Sequence, residues 1–209
     1  MVQPSQSSRS ARVVAIIPAA GRSQRMGRPK PLVPVDGRPM LLATIEPFRA
    51  QPGLEVIVVT RSEIAAALDL DAAGVMVVCN DDPDAEMIDS IRLGIRAAQR
   101  PGPGPAGWLI TPGDQPGLDP ADVRRCIERF DADSSRIVIA AHGGRRGHPA
   151  IIPAGLSPDI FSPLCDQGLN QLMQRHEERI TLVECESPSV TTNINTVADL
   201  PARDRPGAG

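Results

Sequence analysis

"VVAIIPAAGRSQRMGRPK", residues 13–30, runs from an unbroken apolar stretch into a glycine-bearing loop that ends on a lysine. The continuous run Val13 to Pro18 is the pattern of a strand covered on both faces, because a strand with one wet face alternates instead. Runs of the same kind recur as EVIVVT (55–60), GVMVVCN (74–80), WLITPGD (108–114), RIVIAA (136–141) and ITLVECE (180–186). Between them, RPMLLATIEPFRA (38–50), SEIAAALDL (62–70), AEMIDSIRLGIRAAQ (85–99) and PADVRRCIERF (120–130) read as helices. Ser62 stands at an N-cap position, and Asp119-Pro120 combine a cap with a proline in the first turn. Strand–helix alternation predicts a doubly wound α/β domain around a largely parallel sheet. Ligands bind such sheets beyond the carboxyl ends of the strands. The residues that follow AIIP, follow WLIT and close VTTNINT are therefore the ones to inspect.

The 209 residues suit one domain with a sizeable apolar core. The expected division is a disordered leader at 1–12, the domain at 13–201 and a disordered tail at 202–209, with RPGPGPAG (100–107) as a surface loop inside the domain. A net charge of -3 without a basic block argues against general nucleic-acid binding. Three Phe, one Trp and no Tyr leave no platform for stacking single-stranded bases. No apolar run approaches the ~18 residues of a membrane span. The N-terminal MVQPSQSSRSAR lacks the apolar region and cleavage site of a secretion signal. Cys79, Cys126, Cys165 and Cys185 form no Cys-x-x-Cys pair and read as buried free thiols, which points to a reducing, cytoplasmic location.

Gly21 and Gly27 bracket the loop after the first strand, with Arg22, Arg25 and Arg28 close by and Lys30 following. Backbone N–H groups of such a loop can cradle phosphate oxygens, although glycines alone equally make an ordinary surface connection. The spacing is neither a Walker A motif nor the Gly-x-Gly-x-x-Gly of dinucleotide binders. Lys30 is the only lysine among 22 lysines and arginines. A compact ammonium fits a crowded phosphate where arginine's wide fork does not. Asp114, at the end of WLITPGD, stands where a phosphate-bound Mg²⁺ is held, or is equally a turn aspartate between glycine and proline. Asn193 and Asn195 flank Ile194, so strand alternation would face both to one side; an asparagine there is also a helix cap. His148, beside Arg145-Arg146 and between Gly147 and Pro149, lines a substrate pocket, binds an anion or sits in a solvated loop.

Together these pieces resemble the MobA-like nucleotidyltransferase family, and within it the molybdenum cofactor cytidylyltransferase branch. The family signature, Ala-Ala-Gly-x-Ser-x-Arg-Met-Gly-x-x-Lys, is matched at every fixed position from Ala19 to Lys30. LVPVDGRPMLLATIEPF, MIDSIRLGI (87–95), GDQP, GHP, CDQGLNQLM and NINTVADL follow in the family's order, so the resemblance spans about 13–200. It implies a Rossmann-like three-layer sandwich with a mostly parallel mixed sheet, of the nucleotide-diphospho-sugar transferase type. It also implies transfer of a nucleoside monophosphate from an NTP, CTP foremost, to a phosphorylated acceptor such as molybdopterin, with Mg²⁺ and release of pyrophosphate. A molybdoenzyme receiving the product is the implied partner. Carried over residue by residue, Ala19, Ala20, Gly21, Arg22, Ser23, Arg25 and Gly27 hold the triphosphate. Lys30 neutralises developing charge, Asp114 and Asn195 bind the metal, and Ser90 lies near the base or ribose. His148 and the Asp166-Gln167-Gly168 segment face the acceptor. One departure is Asn-Ile-Asn at 193–195 in place of the cytidylyltransferases' Asp-Ile-Asp, which looks more like the guanylyltransferase branch and leaves room for one strongly held ion. Guanylyl transfer, acceptors of sugar- or polyol-phosphate type, and a non-catalytic nucleotide-binding or delivery role are the alternatives.

Overall fold

The computed structural model describes residues 12–21 and 29–205. The strands are β1 (Val13–Pro18), β2 (Pro34–Val35), β3 (Arg38–Pro39), β4 (Glu55–Thr60), β5 (Met76–Cys79), β6 (Gly107–Ile110), β7 (Ile137–His142), β8 (Arg145–Pro153) and β9 (Ile180–Glu184). Strands β2 and β3 pair as a small hairpin, and the other seven form one sheet in the order β5-β4-β1-β6-β8-β7-β9. Every pairing in that sheet is parallel except those of β8, which runs antiparallel to both β6 and β7. The expected mostly parallel mixed sheet is therefore what forms.

Helices cover both faces. α1 (Met40–Arg49) and α4 (Pro120–Ala132) press Leu41, Ile45, Phe48, Val123 and Phe130 onto Ala15, Ile17 and Val58. On the other face α3 (Met87–Ala98) and α6 (Asn170–Arg175) bring Ile88, Ile91, Ile95 and Leu172 onto Val14, Ile16, Ile57 and Val59. The even and odd residues of β1 thus enter different cores, which is why its sequence is apolar throughout. α3 lies close on β1: a Cβ at Gly94 would meet Ile16 Cγ2 at 2.6 Å. Two shorter helices, α2 (Ser62–Leu68) and α5 (Ser157–Ile160), complete the layers.

The chain leaves β1 for β4 and β5 on one side, then returns to β6 on the other. That reversal opens a crevice at the carboxyl ends of β1 and β6, the place where open α/β sheets bind ligands. Strand β8 adds to it. Its residues 150–153 pair with β6, while Arg145 and Arg146 pair only with the end of β7. The first half of β8 therefore overhangs the crevice.

The structure corrects several expectations. RRGHPAIIP, read as a loop around His148, is strand β8; Gly147 and Pro149 lie where its register with β7 shifts, and bulges tolerate both residue types. Ser62 is not a cap: Arg61 holds that position, and the Ser62 backbone N–H donates to Asp81 at 2.8 Å. Asp119 does cap α4, accepting from Ala121 N at 2.7 Å. Cys79 is exposed on the edge strand β5, whereas Cys126, Cys165 and Cys185 are buried free thiols. Ala202–Asp204 form a 3-10 turn, and the Asp36 N–H donates to Asp204 Oδ2 at 2.9 Å. The expected leader, apart from Arg12, and residues 206–209 lie outside the described residues.

Candidate active site

The site is built where β1 and β6 end. Gly113 N donates to Pro18 O at 3.0 Å, which draws the two strand ends together. Only glycine permits this approach, since a Cβ at Gly113 would lie 2.6 Å from Ala19 Cβ. Ala19 is itself held by Val59 O, at 2.7 Å from its N–H, and by Thr60 Oγ1, at 3.1 Å from its carbonyl. Rigid strand ends thus present Asp114 next to the loop that carries Lys30. Lys30 opens a 3-10 turn, Lys30–Leu32, anchored by buried Pro31.

Lys30 Nζ donates to Asp114 Oδ2 and, at 3.1 Å, to Asn195 Oδ1. Both charged side chains are largely covered, at 13% and 21% exposure, so their interaction is less screened than a surface pair. Asp114 Oδ1 is buried and has no hydrogen-bond partner among the described residues. A buried carboxylate oxygen without a partner is costly, and it is the donor type that hard divalent cations take. Asn195 adds a carbonyl oxygen, so the residues fit one Mg²⁺-like ion completed by ligand oxygens. Among the described residues no cluster of three His, Cys, Asp or Glu side chains exists that could hold a metal unaided.

Two cavities meet at this linkage. The first, about 180 Å³, is lined by Ala19, Gly21, Lys30, Met87, Gly113 and Asp114. The second, about 620 Å³, is lined by Arg146, His148, Asn170, Thr191, Asn193 and Asn195, with Ile139, Met173 and other apolar neighbours. His148 is partly buried there; burial pushes its pKa below the ordinary 6.5, opposed by the charge of Asp114.

The segment carrying the asparagines is clasped to the strand ends. Ile194 N donates to Asp114 O at 3.0 Å. Gln115, fully buried, donates from Nε2 to Ser189 O at 2.8 Å and Val190 O at 2.7 Å. Its Oε1 accepts from Thr111 Oγ1 at 3.3 Å. Residues 192–195 are not a strand, yet Ile194 is buried and both Asn193 and Asn195 line the second cavity, as the alternation predicts.

Other expected site residues are distributed differently. Ser90 lines neither cavity; it is buried and accepts from Asn80 Nδ2 at 3.1 Å. Asp166 and Gly168 are not in the His148 cavity but in a separate one of about 310 Å³, with Glu86, Met87 and Ile88. Asp166 there accepts from Arg92 at 2.8 Å. Met87 borders both this cavity and the first, while Leu169 and Asn170 reach the second. Ala20 follows Ala19 at the mouth of the loop. Arg22, Ser23, Arg25 and Gly27 lie outside the described residues. Sequence reasoning missed Met87 and Asn170, which line the cavities, and Gln115, which braces the asparagine segment. The GDQP motif was the available signal for Gln115, but its side chain gave no hint that it would turn away from the crevice.

The family model of the MobA-like NTP transferase domain matches residues 15–180. A relative named nicotine blue oxidoreductase, from Paenarthrobacter nicotinovorans, is 28% identical over 90% of this chain and 94% of its own length. A molybdenum cofactor guanylyltransferase from Cupriavidus metallidurans is 27% identical over 90% of this chain and 92% of its own. A 2-C-methyl-D-erythritol 4-phosphate cytidylyltransferase from Nocardia farcinica is 32% identical over 93% and 79% respectively. Among solved structures, a Methanothermobacter nucleotidyl transferase superposes with a TM-score of 0.73 at 32% identity, over 90% of this chain and 93% of the other. A manganese complex of Rv0371C from Mycobacterium tuberculosis shares the fold, with a TM-score of 0.69 at 23% identity over 90% and 95%. The signature loop, the crevice at the strand reversal and the match over most of the domain lead to one conclusion: the chain belongs to the MobA-like NTP transferase family and is a nucleotidyltransferase.

Proposed function

We propose that the chain transfers CMP from CTP to the terminal phosphate of molybdopterin, with release of pyrophosphate, in the cytoplasm. The observation that carries this reading is the Lys30–Asp114–Asn195 linkage at the seam of two cavities. The first cavity opens on the signature loop and takes the triphosphate; the second takes the acceptor.

In this reaction an oxygen of the acceptor phosphate forms a bond to the α-phosphorus, and the bond to the bridging oxygen of pyrophosphate breaks. The attacking oxygen is already anionic, so no side chain has to remove a proton. The chain's work is in-line placement and charge stabilisation. Lys30 neutralises negative charge on the phosphates. Asp114 and Asn195 hold Mg²⁺, which when bound polarises phosphate oxygens and shields them from each other. His148 borders the acceptor, and Gln115 keeps the asparagine segment in place. The product, a dinucleotide form of the cofactor, passes to a molybdoenzyme.

The specific donor is supported by the cytidylyltransferase resemblance of the signature and by a cytidylyltransferase among the relatives. A guanylyltransferase reading has its own support, Asn193 and Asn195 together with the guanylyltransferase relative. A pyrophosphate-release screen decides between them: four NTPs against molybdopterin, sugar phosphates and polyol phosphates, each with Mg²⁺. CTP with molybdopterin is expected to be fastest. Faster turnover with GTP establishes the second reading, and faster turnover with a sugar or polyol phosphate replaces the acceptor. Absence of pyrophosphate with every pair, despite nucleotide binding, would favour a delivery role.

A further inference from the structure

The second cavity has an uneven charge. Arg146 is the one charged side chain among its described lining residues. Around it stand neutral groups: Asn170, Asn193, Asn195, Thr191 and a histidine whose pKa burial lowers. A cavity of this size with one guanidinium and no carboxylate is suited to an anion. Arg146 is not unopposed, however. Its guanidinium pairs with Glu177 at the rim through two bonds, Nη2 to Oε1 and, at 3.2 Å, Nη1 to Oε2. Both partners are about half exposed, at 44% and 58%. Exposed pairs of this kind add little stability and are readily exchanged.

Position along the strand separates the two groups. Arg146 and His148 are two residues apart on β8, on either side of Gly147, where its register with β7 shifts. Ala150 pairs with Ile110, at the end of β6 that leads to Asp114, whereas Arg146 pairs with Ala141 of β7, so Arg146 stands farther along the strand from that end than His148 does. An anion at Arg146 is therefore a different group from the phosphate that attacks.

Resting on the reading of this cavity as the acceptor site, we propose that Arg146 anchors a second negatively charged group of the acceptor, distal to the attacking phosphate. Glu177 holds the guanidinium until that group replaces it. The acceptor is thus a molecule with two anionic ends, and Arg146 is a residue that sets specificity rather than one that acts on the phosphorus.

The diagnostic is the opposite sign of two substitutions in the full chain. With molybdopterin and CTP, Arg146→Gln is expected to raise the acceptor KM about tenfold or more, with kcat and the CTP KM changing far less. Glu177→Gln removes the competitor and is expected to lower the acceptor KM, by about fivefold at most. Arg146→Lys retains charge but not the fork and falls between Arg146→Gln and wild type. A purely structural ion pair would shift both variants in the same direction, which overturns the proposal. A second measurement does not depend on the acceptor's identity. Inorganic phosphate is titrated into chain already saturated with CTP, so that the signature loop is filled. Tighter binding to Glu177→Gln and weaker binding to Arg146→Gln than to wild type supports the site; equal binding to all three overturns it. If phosphate responds in this way and molybdopterin is not a substrate, the anion site stands and the acceptor assignment fails. If molybdopterin is turned over equally by all three, the acceptor assignment stands and Arg146 does not anchor it.

Discussion

Gly147→Ala should damage the site without altering Lys30, Asp114 or either asparagine. A Cβ at Gly147 would lie 1.8 Å from Val190 O, 2.5 Å from Val190 C and 3.1 Å from Thr191 N. All three are backbone atoms, so no side-chain rotation relieves the clash. To reach even the ~3.0 Å below which real Cβ atoms are essentially never found, the Val190 carbonyl must retreat by about 1.2 Å. Two effects follow. The Gln115 amide, now 2.7 Å from that carbonyl, loses a bond in a fully buried place, a cost of about 1–3 kcal/mol. For a chain of this size that corresponds to a melting point lower by roughly 2–12 °C. The retreat also drags the segment bearing Asn193 and Asn195, and a ~1 Å misplacement near a reacting centre can cost about a hundredfold in rate. The assay is pyrophosphate release on a working substrate pair, with CTP affinity and thermal melting measured separately. Turnover is expected to fall far more than CTP affinity. Wild-type turnover together with an unchanged melting point would refute the view that this glycine seats the asparagine segment.

Four further outcomes are expected. Lys30→Arg should lose about 100–1000-fold in kcat/KM despite keeping the charge, because one nitrogen now serves both Asp114 and Asn195 and a fork cannot; full activity with arginine would dismiss that reasoning. Asp114→Asn should raise the Mg²⁺ concentration needed for half-maximal rate, and an unaltered metal titration would show that its unpartnered oxygen is not a ligand. Gln115→Glu should destabilise the fold by about 3 kcal/mol or more in denaturant titrations, since a buried carboxylate would face the Ser189 and Val190 carbonyls with nothing to donate; unchanged unfolding would count against the clasp. His148 gives a pH signature. Its folded pKa is depressed, so below about 6.5 the unfolded chain takes up a proton that the folded chain does not, and stability falls as pH drops through that window. Melting curves of His148→Gln should lose this part of the acid sensitivity, and an identical pH profile would exclude it.

Much of the donor side was legible in the sequence because the physics there is local. β1 and β4 match their apolar runs residue for residue, since strands buried on both faces admit no polar interruption. Lys30 and Asp114 stand together, as two strand ends of a doubly wound sheet should bring them. The acceptor side was legible only in part. Gly147 and Pro149 are turn signals by composition, and only pairing with β6 and β7 makes their segment a strand. Ser62 looked like a cap because the rule concerns helix starts, but the competing partner Asp81 is nineteen residues away in sequence. Asp166 gave no sign that Arg92 would hold it beside α3 instead of the His148 cavity. Each of these depends on a contact between distant segments, which periodicity does not encode.

The antiparallel course of β8 has a consequence for how such a domain can change. A parallel strand offers the crevice only its last residue and the loop beyond. β8 enters from the crevice, so Arg146, His148 and Ala150, spread across its register shift, all border the second cavity. The cavity proposed for the triphosphate is bordered instead by Ala19, Lys30 and Asp114. With the second cavity proposed as the acceptor site, acceptor preference becomes open to point substitution along one strand while those residues stay untouched. A library confined to positions 146, 148 and 150 is a compact way to redirect the domain toward new phosphorylated acceptors.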